Sequence, residues 1–233
     1  MSLLSPMSFE AEQYRTLCHV LERRRGRGEL GILGVSGPSV GDGKTTTALN
    51  LAGTLAQDPA SRVLIVDADL RRPSVSSRLG FADGDFPGLA DLISNPGLAM
   101  TDVALRRSPW NLFVIPAGRR PADPYRILSS PRLGAVLSAA RQHFDRIVVD
   151  SPPLLAVPDA HVISEWVDGF LLVVGAHRTP RKLLEETLNA IEGNKVVGIV
   201  FNGDRRPLSG YGKYYRAYGY AQSAARLRSK EAP

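Results

Sequence analysis

Short runs of Val, Ile and Leu recur along the chain at 29–37, 62–69, 111–118, 145–152 and 168–176, with a sixth at 195–202. Most lack apolar–polar alternation, which points to strands buried on both faces, as in a parallel sheet covered by helices on each side. Helix-like stretches lie between them at 43–57, 130–144 and 179–193. Ser130 followed by Pro131 reads as an N-cap and first helical residue, and Thr179 with Pro180 repeats the pattern. This alternation predicts an α/β fold with a doubly wound, mostly parallel sheet flanked by helices, whose ligand sits at the carboxyl ends of the strands.

The 233 residues, 43% of them hydrophobic, suffice for one good-sized core and not for two. No run approaches the roughly 18–20 apolar residues of a membrane-crossing helix, and the first residues lack a signal-peptide layout, so a cytoplasmic location is expected. The single cysteine, Cys18, and the lack of any Cys/His cluster at ligand spacing remove disulfide, zinc and redox chemistry. The net charge of +6 is concentrated from Gly203 onward, where seven Lys/Arg face two acids. Such a segment suits an acidic partner, an anionic membrane, nucleic acid or plain solubility, and charge alone does not choose among them.

The densest chemical signal is GVSGPSVGDGKTTT, residues 34–47, between a predicted strand and a predicted helix. Gly37, Gly41 and Gly43 would let backbone N–H groups turn toward an anion, and the following helix N-terminus adds partial positive charge. Lys44 would reach the β- and γ-phosphates and Thr45 would ligate Mg²⁺, with Gly41, Asp42, Gly43 and Thr46 completing the nucleotide contacts. The loop departs from G-x-x-x-x-G-K-[ST] at Pro38, where the pattern has Gly. A Gly-rich turn without nucleotide is the alternative for the loop taken alone.

Two further strands end in carboxylates, VLIVDADLRRP with Asp67 and Asp69 and RIVVDSPP with Asp150. Taken singly, each is more often a strand-end cap. At the carboxyl edge of one parallel sheet the three would converge beside the phosphate loop and hold Mg²⁺, which offsets their mutual repulsion. Asp67 is the candidate general base, with Asp69 and Asp150 placing the metal.

Together GDGKTTT, VLIVDADLRRP and RIVVDSPP resemble the three nucleotide motifs of bacterial tyrosine kinases of the capsular and exopolysaccharide export type, in their split cytoplasmic form. The resemblance extends over roughly residues 9–220 and includes VPDAHVISEWVDGFLLVV. It implies a P-loop protein tyrosine kinase using ATP and Mg²⁺, with Arg71 in the site and Asn202 near the adenine edge. It also implies a membrane activator of the polysaccharide co-polymerase type, which would place the protein at the inner face of the plasma membrane, and an opposing tyrosine phosphatase. No nucleic acid is expected.

Three segments follow: an N-terminal helical segment (1–28), the ATP-binding kinase domain (29–203) and a basic tyrosine-rich tail (204–233). The tail holds Tyr211, Tyr214, Tyr215, Tyr218 and Tyr220 within ten residues flanked by Gly, Lys and Arg, and reads as a flexible phosphoacceptor segment. In the family the N-terminal helix carries Glu-x-x-Arg-x-x-Arg for ring assembly. Here Glu12 and Arg15 match while Cys18 takes the second arginine position, so a homo-oligomeric ring and an ordinary helix capping the sheet stand as equal readings. Tyr125 and Arg126, where the family often has Glu, have no assigned role. Two other classes remain. A nucleotide-switched positioning or partition ATPase usually opens its phosphate loop with Lys-Gly-Gly, where this chain has Ser39, Val40 and Gly41; a non-catalytic ATP-binding scaffold is the other.

Overall fold

The structure, a computed structural model, describes residues 8–25, 30–81 and 86–204. Its elements run α1 (Phe9–Arg25), β1 (Ile32–Ser36), α2 (Lys44–Leu55), β2 (Val63–Asp67), α3 (Val75–Arg78), α4 (Leu89–Ser94), β3 (Leu105–Arg107) and β4 (Leu112–Ile115). They continue through α5 (Pro124–Leu128), α6 (Arg132–His143), β5 (Arg146–Asp150), α7 (Asp159–Ser164), β6 (Gly169–Gly175), α8 (Arg181–Asn189) and β7 (Val196–Asn202). The strands form one seven-stranded sheet in the order β3-β4-β2-β5-β1-β6-β7. All neighbouring pairs are parallel except β3 with β4.

All six expected strands are present, and the absence of alternation has the predicted cause. Leu64 and Val66 enter the core on one sheet face, while Val63 and Ile65 enter the core on the other. Phe170 and Leu172 are likewise divided from Leu171 and Val173. Each such side chain, fully withdrawn from water, contributes on the order of 1.5–3 kcal/mol. The short antiparallel β3 was not expected, because three residues reading Leu-Arg-Arg carry no usable period.

Helix α1 covers one face of the sheet. Ala11, Cys18 and Leu21 are buried, and burial, with the Glu22 charge, pushes the Cys18 thiol up to about 12. Arg146 of β5 donates two hydrogen bonds to Glu22, at 2.6 and 2.7 Å, tying the helix to the sheet. Residue 18 therefore faces the core, as the capping reading requires, while Glu12 and Arg15 pair with each other on the helix itself.

Both expected caps differ in detail. Helix α6 begins after Pro131, and the Ser130 hydroxyl accepts from the Arg132 N–H, so the cap sits one residue from its expected place. Helix α8 begins after Pro180, and Thr179 does not cap it; its hydroxyl donates to Asp42 at 2.6 Å instead.

Candidate functional site

The sheet order places β2, β5 and β1 side by side, so all three sequence motifs leave the same edge. Asp67 and Asp150 are register partners, and Asp150 also lies opposite Val35, just before the phosphate loop. A cleft of about 720 Å³ opens there, lined among others by Gly41, Gly43, Lys44, Thr45, Thr46, Asp69, Arg71 and Asn202.

The loop's glycines are required by contact as well as by torsion. A Cβ on Gly37 would stand 2.2 Å from the Val173 carbonyl oxygen. Gly43 has φ 97°, and a Cβ there would meet the Asn202 amide at 2.0 Å. Lys44 is buried, its ammonium donating to the Ser39 carbonyl at 2.8 Å. Burial lowers its pKa, and the charges of Asp42, Asp150 and Asp69 oppose that shift.

Asp42, expected among the nucleotide contacts, is turned into the protein. It is 1% exposed, and its carboxylate accepts from the Ser39 N–H at 2.8 Å and the Thr179 hydroxyl at 2.6 Å. Arg178 lies 3.8 Å from it and donates to the Gly41 carbonyl. The Asn202 amide donates to the Asp42 carbonyl at 2.9 Å. Asp42 thus ties the loop to the segment after β6 and to the end of β7. Asn202 lines the cleft, with one amide hydrogen already engaged.

The three motif acids separate into different environments. Asp67 is fully buried; its Oδ2 accepts from the Ser74 and Val75 N–H groups at 3.0 Å each, and its Oδ1 from the Asp69 N–H at 3.3 Å. Burial pushes its pKa up to about 6 against the pull of those amides. Its oxygens hold the turn into α3, so the expected base and metal ligand is committed to backbone donors. Asp69 is the carboxylate that lines the cleft.

Asp150 is buried with no full hydrogen-bond partner for either oxygen. Burial, reinforced by the Asp67 charge, pushes it up to about 8, with the Thr45 hydroxyl and Lys44 ammonium drawing it partly back. A buried orphan acid is a cost unless something completes it, and a hard divalent cation beside Thr45 would do so. Among the described residues no three His, Cys, Asp or Glu side chains close around one point. The donor set therefore fits Mg²⁺ held with phosphates and water rather than in an all-protein cage.

Arg71 lines the cleft and is also held in a bidentate pair with Asp159, 2.8 Å for each bond, so both readings of it meet in one side chain. Asp159, wholly buried at the start of α7, carried no signal beyond the VPDAHVISEW segment. Arg72, Arg78 and Arg178 also line the cleft, and sequence reasoning missed all three, because single arginines in loops or at the end of a four-residue helix have no period or spacing. Tyr211, Tyr214, Tyr215, Tyr218 and Tyr220 lie outside the described residues. No described helix is long and apolar enough to cross a membrane.

Residues 32–167 match the family model described as an AAA domain. The tyrosine-protein kinase CpsD of Streptococcus agalactiae is 34% identical over 185 residues, spanning 78% of this chain and 80% of that protein. YwqD, a tyrosine-protein kinase of Bacillus subtilis (strain 168), is 29% identical over 215 residues, 91% of this chain and 88% of its own length. Among solved structures, the kinase domain of the Escherichia coli tyrosine kinase ETK superposes with a TM-score of 0.77 at 28% identity, covering 84% of this chain and 77% of that one.

Proposed function

The chain belongs to the bacterial tyrosine-protein kinases within the AAA-domain P-loop family, and from that premise we propose that it transfers the γ-phosphoryl of ATP to tyrosines of its own C-terminal segment. The observation that carries the reading is Asp150, a buried carboxylate with no full hydrogen-bond partner and only Thr45 and Lys44 drawing on it, facing the phosphate loop from the next strand. Phosphoryl transfer needs positioning and charge neutralisation more than covalent chemistry. Mg²⁺, which Thr45 and Asp150 would hold directly or through water, would supply charge neutralisation to the transferred phosphoryl group.

The protein's own groups do the rest. The loop N–H groups and Lys44, released from the Ser39 carbonyl, hold the phosphates, while Thr45 and Asp150 face the cation directly or through water. Asp67 keeps the turn that presents Asp69, and Asp69, open to the cleft, takes the phenolic proton. The tyrosine oxygen forms its bond to the γ-phosphorus as the bond to the β–γ bridging oxygen breaks, leaving ADP. Arg71, braced by Asp159, stabilises the cleft wall. Thr46 and Asn202 flank the nucleotide, with Asn202 at the adenine edge; Gly41 and Gly43 shape the loop.

By family resemblance, the substrates are Tyr211, Tyr214, Tyr215, Tyr218 and Tyr220, and the activator is a membrane protein of the polysaccharide co-polymerase type. A tyrosine phosphatase would reset the cycle, which would regulate capsule or exopolysaccharide synthesis from the inner face of the membrane. The test is intact-mass analysis after incubation with Mg-ATP, alone and with the activator's cytoplasmic segment. Gains of about 80 Da per phosphate, mapped to Tyr211–Tyr220, are expected, and Lys44→Ala and Asp69→Asn should lose them. Hydrolysis of ATP without protein phosphate would replace the kinase reading with a nucleotide-switched ATPase. Full activity in Asp69→Asn with none in Asp67→Asn would return the base to Asp67.

A further inference from the structure

The four cleft arginines are not equivalent. Arg71 is spent on Asp159, and Arg178 is shared between the Gly41 carbonyl and Asp42. Arg78, the last residue of α3, is exposed and forms no ion pair with a described carboxylate. Its guanidinium donates to the Thr46 hydroxyl at 2.8 Å. A cation anchored on the first turn of the phosphate-loop helix, with Lys44 lining the same cleft, is a repulsive arrangement that an anion would relieve. Its mounting is firm at the start of α3. Asp67 holds the Ser74 and Val75 amides, and the Ser74 hydroxyl donates to Thr45 at 3.3 Å.

Lys44 serves the β- and γ-phosphates and Thr45 the cation, so Thr46, one residue further into the helix, lies toward the α-phosphate. We propose that Arg78 is a nucleotide ligand supplied by α3, held on Thr46 in this structure and moving to the α-phosphate when ATP or ADP binds. The inference rests on the nucleotide reading of the cleft and adds a nucleotide-binding residue to it. Guanidinium donors outside the Thr46 bond are free to meet phosphate oxygens, and a planar fork suits that geometry better than an ammonium. Because the α-phosphate is common to substrate and product, Arg78 would set affinity for both alike and leave the chemical step to Lys44 and the acids.

The test is equilibrium titration of wild type, Arg78→Ala and Arg78→Lys with Mg-ADP and Mg-ATP, beside thermal melts. Arg78→Ala should weaken both nucleotides by the same factor, about 3- to 10-fold at this exposed position, with an unchanged melting temperature. Arg78→Lys should recover part of the loss, and raising salt should narrow the gap between wild type and Arg78→Ala. A loss confined to Mg-ATP would overturn the α-phosphate assignment, and unchanged binding of both nucleotides would overturn the proposal entirely. Wild type that binds neither nucleotide would instead sink the reading of the cleft itself, so the two failures are distinguishable.

Discussion

Removing the Asp42 carboxylate should uncouple the phosphate loop from the segment after β6, and a double-mutant cycle with Thr179 measures the coupling. Asp42→Ala leaves the Ser39 N–H and the Thr179 hydroxyl without their acceptor and takes the nearby charge from Arg178. Hydrogen bonds to a charged group contribute about 1.5–3 kcal/mol each, and solvent at the loop's rim discounts the total to roughly 2–4 kcal/mol. Thr179→Val loses the 2.6 Å bond to Asp42 and the hydroxyl that accepts from the Gly175 N–H at 3.1 Å. That variant should lose about 1–2 kcal/mol. The Asp42–Thr179 bond is removed in both single variants, so the double variant should lose less than their sum, by about 1 kcal/mol or more. Urea unfolding of the four proteins gives the stabilities, and Mg-ADP titration should show weaker binding wherever Asp42 is absent. Additivity within about 0.3 kcal/mol, or unchanged nucleotide affinity in Asp42→Ala, would refute the claim that this carboxylate organises the loop.

The Asp150 carboxyl, pushed up to about 8, holds a proton in the folded protein that the unfolded chain has already released, so its contribution to stability falls as pH rises from about 4 to about 8. Asp67, at about 6, acts in the same direction over the lower part of that window. Asp150→Asn should therefore flatten the loss of stability between pH 6 and pH 8 in thermal melts while abolishing phosphotransfer; a steeper loss would contradict the sign. In wild type near pH 7, binding of Mg-ADP should release a proton as the cation favours ionised Asp150, and calorimetry in buffers of different ionisation enthalpy reads this directly. Asp159→Ala strands Arg71 beside a buried vacancy and should cost about 1–3 kcal/mol, discounted because the arginine is partly exposed, with reduced tail phosphorylation. An unchanged melting temperature would show that the pair contributes nothing.

Much of the fold was legible because buried parallel strands leave continuous apolar runs, and all six such runs became strands. The three residues of β3 were too few to leave a comparable mark, whereas the seven of β7 did so although that edge strand is only half-buried. Helices α3, α4, α5 and α7 span four to six residues, too few to establish a period, and it is α3 that carries Arg78 to the phosphate loop. Thr179 looked like a helix cap because Thr-Pro is a common start, but the competing acceptor was Asp42, 137 residues away in sequence.

The fold class, the phosphate loop and the acids at the strand ends could be read along the chain, since they follow from local apolar runs and from glycines and a lysine at short spacing. The division of labour among the acids belonged to the tertiary structure. Asp67, Asp69 and Asp150 look alike along the chain, yet one is taken by backbone amides, one opens to the cleft and one is buried without a full hydrogen-bond partner. Which role each carboxylate receives depends on how much water it keeps and which donors reach it, and those are set by segments far apart in sequence that meet only once the sheet has formed.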